Sequence, residues 1–252
     1  MRGLALSSPF RVIQITDCHL FGDEAGRFNG VPTRETFERV LQRIRAETPP
    51  PGLILATGDL SHDGSEASYR HFAECLAPLG APVCWLAGNH DHRPTMQRVL
   101  NQYPQLHSQP PEYTGGWRLR LLDTTDGEAM NGRVRRADLE DLRNHDPKPT
   151  LVAMHHNPLQ ERRKGVYCGL INSAETLRAL LRAPAVKAVV YGHIHQALRQ
   201  RRGGISLLAT PSTGYQSKTR SGKPAKEGPG YRILDLWPAG EWRTRVVRVG
   251  RG

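Results

Sequence analysis

Seven short runs of apolar and β-branched residues, at 11–16, 53–57, 83–87, 119–122, 151–154, 186–191 and 205–209, recur along a chain of 252 residues. They have the length of strands and alternate with helical patterns, which predicts an α/β layout. Between the first two runs, Phe37, Val40, Leu41 and Ile44 fall at i, i+3, i+4 and i+7. This helix follows Pro32 and a Thr33 cap and is ended by Pro49 to Pro51. Tyr69, Phe72, Ala73 and Leu76 repeat the spacing after Ser65. A third helix starts at Asn172, paired with Glu175 as a capping box, with Leu177, Leu180 and Leu181 facing the core until Pro184.

Near the end, residues 231–236 and 242–249 flank a Pro-Ala-Gly turn and predict a hairpin over 231–249 on a sheet edge. The longest irregular stretch, 212–230, is rich in Ser, Gly, Lys and Thr and is expected to be a lid loop. Its Lys218, Arg220, Lys223 and Lys226 either clamp an anionic substrate or keep an exposed loop soluble. The length permits one large domain or two small ones; one domain over 1–252 is the reading adopted.

What sits at the strand ends narrows the chemistry. Nearly every candidate strand runs into His, Asp or Asn: Asp17-Cys18-His19, Gly58-Asp59, Gly88-Asn89-His90-Asp91, His155-His156 and Gly192-His193-Ile194-His195. In α/β sheets the carboxyl ends of the strands form the ligand crevice, so groups distant in sequence converge there. The converging groups are carboxylates, imidazoles and an amide carbonyl, an oxygen and nitrogen set suited to manganese, iron, zinc, nickel or cobalt. Asp17 with His19, and His193 with His195, are two apart, so in an extended chain each pair faces one side. Glycine before Asp59, Asn89 and His193 suits a sharp turn and close approach at the rim. One such segment is weak evidence; five in order predict a dinuclear metal site.

Neighbours of these residues read differently. Cys18, His62 and His156 stand beside proposed ligands, where strand alternation turns them to the opposite face; burial or a solvent-facing role rather than metal binding is expected of His62 and His156, and His62 keeps a substrate contact as an option. Asp91 and Asp63 either orient a catalytic imidazole or cap a following helix. His71, His92, His107 and His145 lack such a context and are expected at the surface.

The series D-x-H, G-D, G-N-H-D, H-H, G-H-x-H over residues 11–210 resembles that of the calcineurin-like metallophosphoesterases. More narrowly, IQITDCHL, ATGDLSHD, WLAGNHD, GHIHQ and LATPST, with Gly30-Val31, Thr33 and 228–232, resemble the bacterial class III cyclic-nucleotide phosphodiesterases. The resemblance implies a four-layer αββα fold, two mixed β-sheets flanked by helices, with the site at the C-terminal rim of the strands. It implies Asp17, His19, Asp59 and His195 on one ion, and Asp59, Asn89, His155 and His193 on the other. Asp59 then bridges both, and His90, with Asn89, meets the substrate phosphate and serves as the general acid. Two divalent ions, iron or manganese first and zinc, nickel, cobalt or magnesium as alternatives, would lower the pKa of a shared water and leave hydroxide as nucleophile.

The implied activity is hydrolysis of 3′,5′-cyclic AMP to 5′-AMP. A broader phosphodiesterase or nuclease of the same superfamily, and a non-catalytic metal-binding scaffold, are the alternatives. Net charge is +11, but the arginine clusters 133, 135, 136 and 199, 201, 202 are not interleaved with aromatics in sequence, so solvated faces are expected rather than a nucleic-acid groove. Four cysteines without a C-x-x-C pair read as reduced thiols. With neither a signal peptide nor an apolar run of about 18 residues, a soluble cytoplasmic protein with no membrane partner, monomer or homodimer, is expected. The stretch 126–146 is short beside the family and the chain stops at Gly252; these departures bear on substrate access and oligomeric state.

Overall fold

The computed structural model describes residues 8–111, 114–127, 129–142, 147–159, 161–163, 166–217 and 227–250. In chain order the first half holds β1 (Phe10–Ile15), β2 (Arg27–Phe28), β3 (Val31–Pro32), α1 (Thr33–Arg45), β4 (Leu53–Thr57), α2 (Glu66–Leu76), β5 (Val83–Leu86), α3 (Arg93–Leu100), β6 (Leu106–His107) and β7 (Arg118–Leu122). The second half holds α4 (Arg136–Asp141), β8 (Thr150–Met154), β9 (Glu161–Arg163), β10 (Val166–Cys168), α5 (Ser173–Leu181), β11 (Val186–Tyr191), β12 (Leu198–Arg202), β13 (Ile205–Ala209), β14 (Gly230–Leu236) and β15 (Trp242–Arg248).

One sheet runs β15-β14-β1-β4-β5-β6 and the other β12-β13-β11-β8-β7. Both are mixed: β1, β4, β5 and β6 are parallel, β14 runs antiparallel to β1 and β15 antiparallel to β14, and β7, β8, β11 and β13 are parallel with β12 antiparallel to β13. Strand alternation sorts their side chains into two cores. Val12, Leu53, Leu55 and Leu86 pack against Leu151, Val190 and Leu208 between the sheets. Ile13, Ile15, Ile54 and Trp85 face away, under Phe37, Val40, Phe72 and Met96 of the first three helices. Val152, Met154 and Val189 face Leu139 and Leu180 of α4 and α5. The result is the expected order of layers, helices, sheet, sheet, helices. The core helices carry aromatic weight: Phe37 and Phe72, both fully buried, stack at 5.7 Å between ring centroids. Phe72→Ala is therefore expected to destabilise the protein by about 3–5 kcal/mol, read from a denaturant midpoint; a loss under about 1 kcal/mol would mean the layer is not packed this way.

The seven expected strands stand within one residue of their observed bounds. The helix starts needed correction. Thr33 is the first residue of α1, not its cap; Pro32 takes the extended cap position and supplies no side-chain acceptor. Ser65 does cap α2, accepting from Ser68 N. Asn172 precedes α5, but its amide bonds Val134 N and O instead of capping, leaving a 3.5 Å contact with Glu175. Leu181 is 44 % exposed, because the buried stripe of that helix is Thr176, Ala179 and Leu180. His71 is half-buried between α1 and α2, with Nδ1 3.0 Å from Arg34 Nη2 and Nε2 3.3 Å from Glu38; His92 and His107 are exposed. Residues 218–226, with Lys218, Arg220, Lys223 and Lys226, and also His145, lie outside the described residues. Among the described residues no helix is long and apolar enough to cross a membrane.

Candidate functional site

The parallel strands of both sheets end at one rim, and their continuations are tied together there. Asp17 N donates to Gly58 O and His19 N to Asp59 O. Within the second sheet Gly192 N donates to His155 O, and across the sheets Thr213 N donates to Thr16 O and His193 N to the Asp17 carboxylate at 3.0 Å. Asp17, His19, Asp59, His193 and His195 all adopt left-handed backbone, with φ between 46° and 65°. The pairs Asp17/His19 and His193/His195 do converge, but through left-handed turns beyond the strand ends, not through the alternation of an extended chain. Such conformations are costly outside glycine and collect at functional sites. A Cβ on Gly88 would strike the Asp59 carboxylate, and one on Gly192 would strike Thr16 Oγ1 and Asp17 Oδ2, so close packing at the rim requires both glycines.

Two clusters result. Asp17, His19, Asp59 and His195 are buried and bring one donor atom each within 4.8 Å of one another. His19 Nε2 faces His195 Nε2 at 3.1 Å, and His195 Nε2 lies 3.3 Å from Asp17 Oδ1. In the second cluster Asn89 Oδ1 lies 3.1 Å from His155 Nε2 and 3.0 Å from His193 Nδ1. Asp59 Oδ2 stands between the clusters, 3.6 Å from His19 Nε2 and 3.4 Å from His155 Nε2.

These contacts suit cations. The Nδ1 of His155 meets Thr57 O at 2.8 Å and that of His195 meets Tyr215 O at 2.9 Å, so each ring spends its N–H on a backbone carbonyl. This is the usual support for a metal-binding histidine, and it leaves Nε2 as a lone pair. Those lone pairs face other acceptors, the Asn89 oxygen and the Asp59 and Asp17 carboxylates, an arrangement that a positive charge between them stabilises. The electrostatics agree. Burial alone would push the Asp59 carboxyl up, yet His155 and His19 hold it well below the usual carboxylate range. Burial acts against a charged imidazole at His155, but the Asp59 carboxylate outweighs it and raises His155 to about 9. Carboxylates that favour a proton there favour a metal cation for the same reason. Burial pulls His19 down to about 3 and His193 to about 4, the neutral form that ligates.

His90 donates its backbone N–H to Asp59 Oδ1 at 2.9 Å, and its ring lies 4.9 Å from those of both His19 and His62. His62 is half-buried, with Nδ1 3.2 Å from His19 Nδ1. His156, which alternation had turned away, is buried with a ring nitrogen within 4.8 Å of those of His155 and His193. Alternation does not apply to either, since both lie beyond strand ends. Cys18 does point away, into the core under α1 and α2. Asp91 accepts from Leu60 N, Ser61 N, Gly88 N and Tyr69 Oη, and Asp63 from Gly22 N, Ser65 N and Ser61 Oγ. Both carboxylates brace the loops that carry Asp59 and Asn89. Phe28 and Tyr215, which carried no sequence signal, bring aromatic rings to the His19 side of the rim.

Residues 10–197 match the calcineurin-like phosphoesterase family. The chain is 37% identical over 250 residues to the 3′,5′-cyclic adenosine monophosphate phosphodiesterase CpdA of Vibrio vulnificus, covering 96% of this chain and 91% of that one. It is 36% identical over 253 residues to the protein of the same name from Escherichia coli, covering 98% and 92%. Its fold is similar to that of a dimetal phosphatase from Danio rerio, with a TM-score of 0.69 at 13% identity over 92% of this chain and 94% of that one. A rim that gathers carboxylates, imidazoles and an amide around two adjacent points, on a chain that matches the family across this whole region, has one consistent assignment: the protein belongs to the calcineurin-like phosphoesterases, whose members work with a dinuclear metal site.

Proposed function

We propose that the protein hydrolyses 3′,5′-cyclic AMP to 5′-AMP with two divalent ions, one held by Asp17, His19, Asp59 and His195 and the other by Asp59, Asn89, His155 and His193. The observation that carries the reading is the Asp59 carboxylate, buried and facing His19 on one side and His155 on the other. The choice of cyclic AMP follows the relatives, which align with more than nine-tenths of this chain. Iron and manganese are the metals proposed, since neutral imidazoles and carboxylates without a thiolate suit them; zinc, nickel, cobalt and magnesium are separated from them by metal analysis of protein purified without added metal.

When bound, the ions activate water for attack on phosphorus and neutralise charge on the phosphate oxygens. The chain does the rest. With its Oδ1 turned to His155 and His193, Asn89 directs Nδ2 to the Met130 thioether at 3.5 Å, a weak acceptor that a non-bridging phosphate oxygen of the substrate would replace. His90, half-buried at the mouth, delivers a proton to O3′ as the P–O3′ bond breaks, so that O3′ leaves as a hydroxyl on the product.

The test is the initial rate of 5′-AMP release from 3′,5′-cyclic AMP by metal-loaded protein, beside 2′,3′-cyclic AMP, bis-p-nitrophenyl phosphate and an Asn89→Ala control. Turnover of 3′,5′-cyclic AMP with a dead control is expected. Cleavage of the aryl diester alone removes cyclic AMP as the substrate, and two bound ions with no cleavage at all leave a metal-binding scaffold.

A further inference from the structure

The groups that handle the phosphate account for the polar rim, and none of them recognises a base. Beside them lies an aromatic corner. Phe28 stands on β2, paired with β3 through Phe28↔Val31. Between the two strands Asn29 and Gly30 both take left-handed φ, 49° and 81°. An Asn-Gly hairpin turn of this kind holds the flanking strands in one register, so the ring is placed by rigid backbone and not by a long loop. One side of Phe28 lies on His19, with centroids 4.3 Å apart and planes 28° from parallel. Tyr215 stands 5.4 Å away at 77°, edge to face. Its backbone carbonyl is the one that holds His195, so this ring too is fixed to the metal rim. Both rings are half-buried and remain accessible at the mouth.

We propose that Phe28 and Tyr215 form the purine subsite of the enzyme, the base stacking on one ring and meeting the other at its rim. This rests on the cyclic-nucleotide reading given above. Two rings near a right angle make a corner that suits a flat, electron-rich heterocycle, since stacked and edge-to-face contacts are both favourable. The Phe28 ring is 6.3 Å from that of His90, so a base on the sugar whose O3′ meets His90 lies within reach of it. At Asn89, among the described residues, the neighbour is no such platform: Asn89 Nδ2 meets the thioether of Met130, a flexible side chain 60 % exposed. A purine covers more of the platform than a pyrimidine, so cyclic purine nucleotides are the substrate class favoured.

The experiment compares 5′-AMP with ribose 5-phosphate, which is the same molecule without its base, as inhibitors of p-nitrophenyl phosphodiester hydrolysis by metal-loaded protein. The readout is the ratio of the two inhibition constants, in wild type, Phe28→Ala, Phe28→Trp and Met130→Ala. Removing an aromatic platform beneath a base costs roughly five- to a hundredfold in affinity, so Phe28→Ala should shrink the ratio by that factor. Phe28→Trp and Met130→Ala should keep it. If Phe28 served only to pack His19, its loss would weaken both ligands alike and leave the ratio unmoved. A wild-type ratio near one, or a ratio that survives in Phe28→Ala, overturns the subsite whether or not cyclic AMP is hydrolysed. A ratio that depends on Phe28 in a protein that fails to cleave cyclic AMP upholds the subsite and defeats the substrate reading instead.

Discussion

Asp59→Asn is expected to lower turnover by on the order of 10³-fold or more and to leave fewer than two ions bound per chain. The substitution is chosen for what it keeps. An amide oxygen still accepts the His90 N–H that Asp59 Oδ1 accepts at 2.9 Å, so the loop bearing Asn89 and His90 has no reason to move. The left-handed backbone at Asp59, φ 51°, is one that asparagine tolerates as well as aspartate. What disappears is the negative charge between His19 and His155, and with it a carboxylate placed to serve both clusters. A pair of divalent ions contributes several kcal/mol of transition-state stabilisation, and every 1.36 kcal/mol is tenfold in rate. Metal analysis, a rate with cyclic AMP and an unfolding curve on the same preparation decide the matter. Two ions retained with a rate within about tenfold of wild type would show that Asp59 is not the shared ligand.

How far the sequence reached depends on how each element is buried. All five residues of β4 are buried, as are the last five of β1, so their apolar runs stand out against any background. α3 carries no clear helical period in the sequence because Arg93, Pro94, Gln97 and Arg98 dilute a stripe whose apolar members are Met96, Val99 and Leu100. α4 has six residues and one buried side chain, Leu139, too little for periodicity to register. At the rim the residue types were legible and the geometry was not. Pleat alternation grouped Asp17 with His19 correctly for a reason that does not hold there, since both are left-handed. The same rule allowed for the burial of His156 but turned its ring away from His155 and His193, beside which it lies. Phe28 is a single aromatic on a two-residue strand and Tyr215 one in a loop, and nothing short of the folded chain brings them within 5.4 Å of each other. The charge excess behaves partly as expected: Arg133, Arg135 and Arg136 face Asp126, Asp138 and Glu140 in exposed pairs. Arg199, separated from aromatics in sequence, lies 5.7 Å from the ring of Trp242 in space.

His90→Ala separates holding the metals from using them. The ring of His90 sits beside His19 and His62, and one donor atom from each of these three imidazoles falls within 4.8 Å of the others, so geometry alone admits His90 as a ligand. The two roles predict different losses. If His90 is the proton donor to O3′, the alanine variant keeps both ions, because its backbone N–H still meets Asp59, and turnover of cyclic AMP falls by roughly 10²–10⁴-fold. The loss should be smaller for bis-p-nitrophenyl phosphate, since p-nitrophenolate leaves readily without a proton while the ribose alkoxide does not. If His90 is instead a ligand, its removal costs metal, and the two substrates suffer together. Metal content and the ratio of the two rates, measured on one preparation, therefore assign the residue: retained ions with a leaving-group-dependent loss place it on the substrate, and lost ions or an equal loss on both substrates move it off that role.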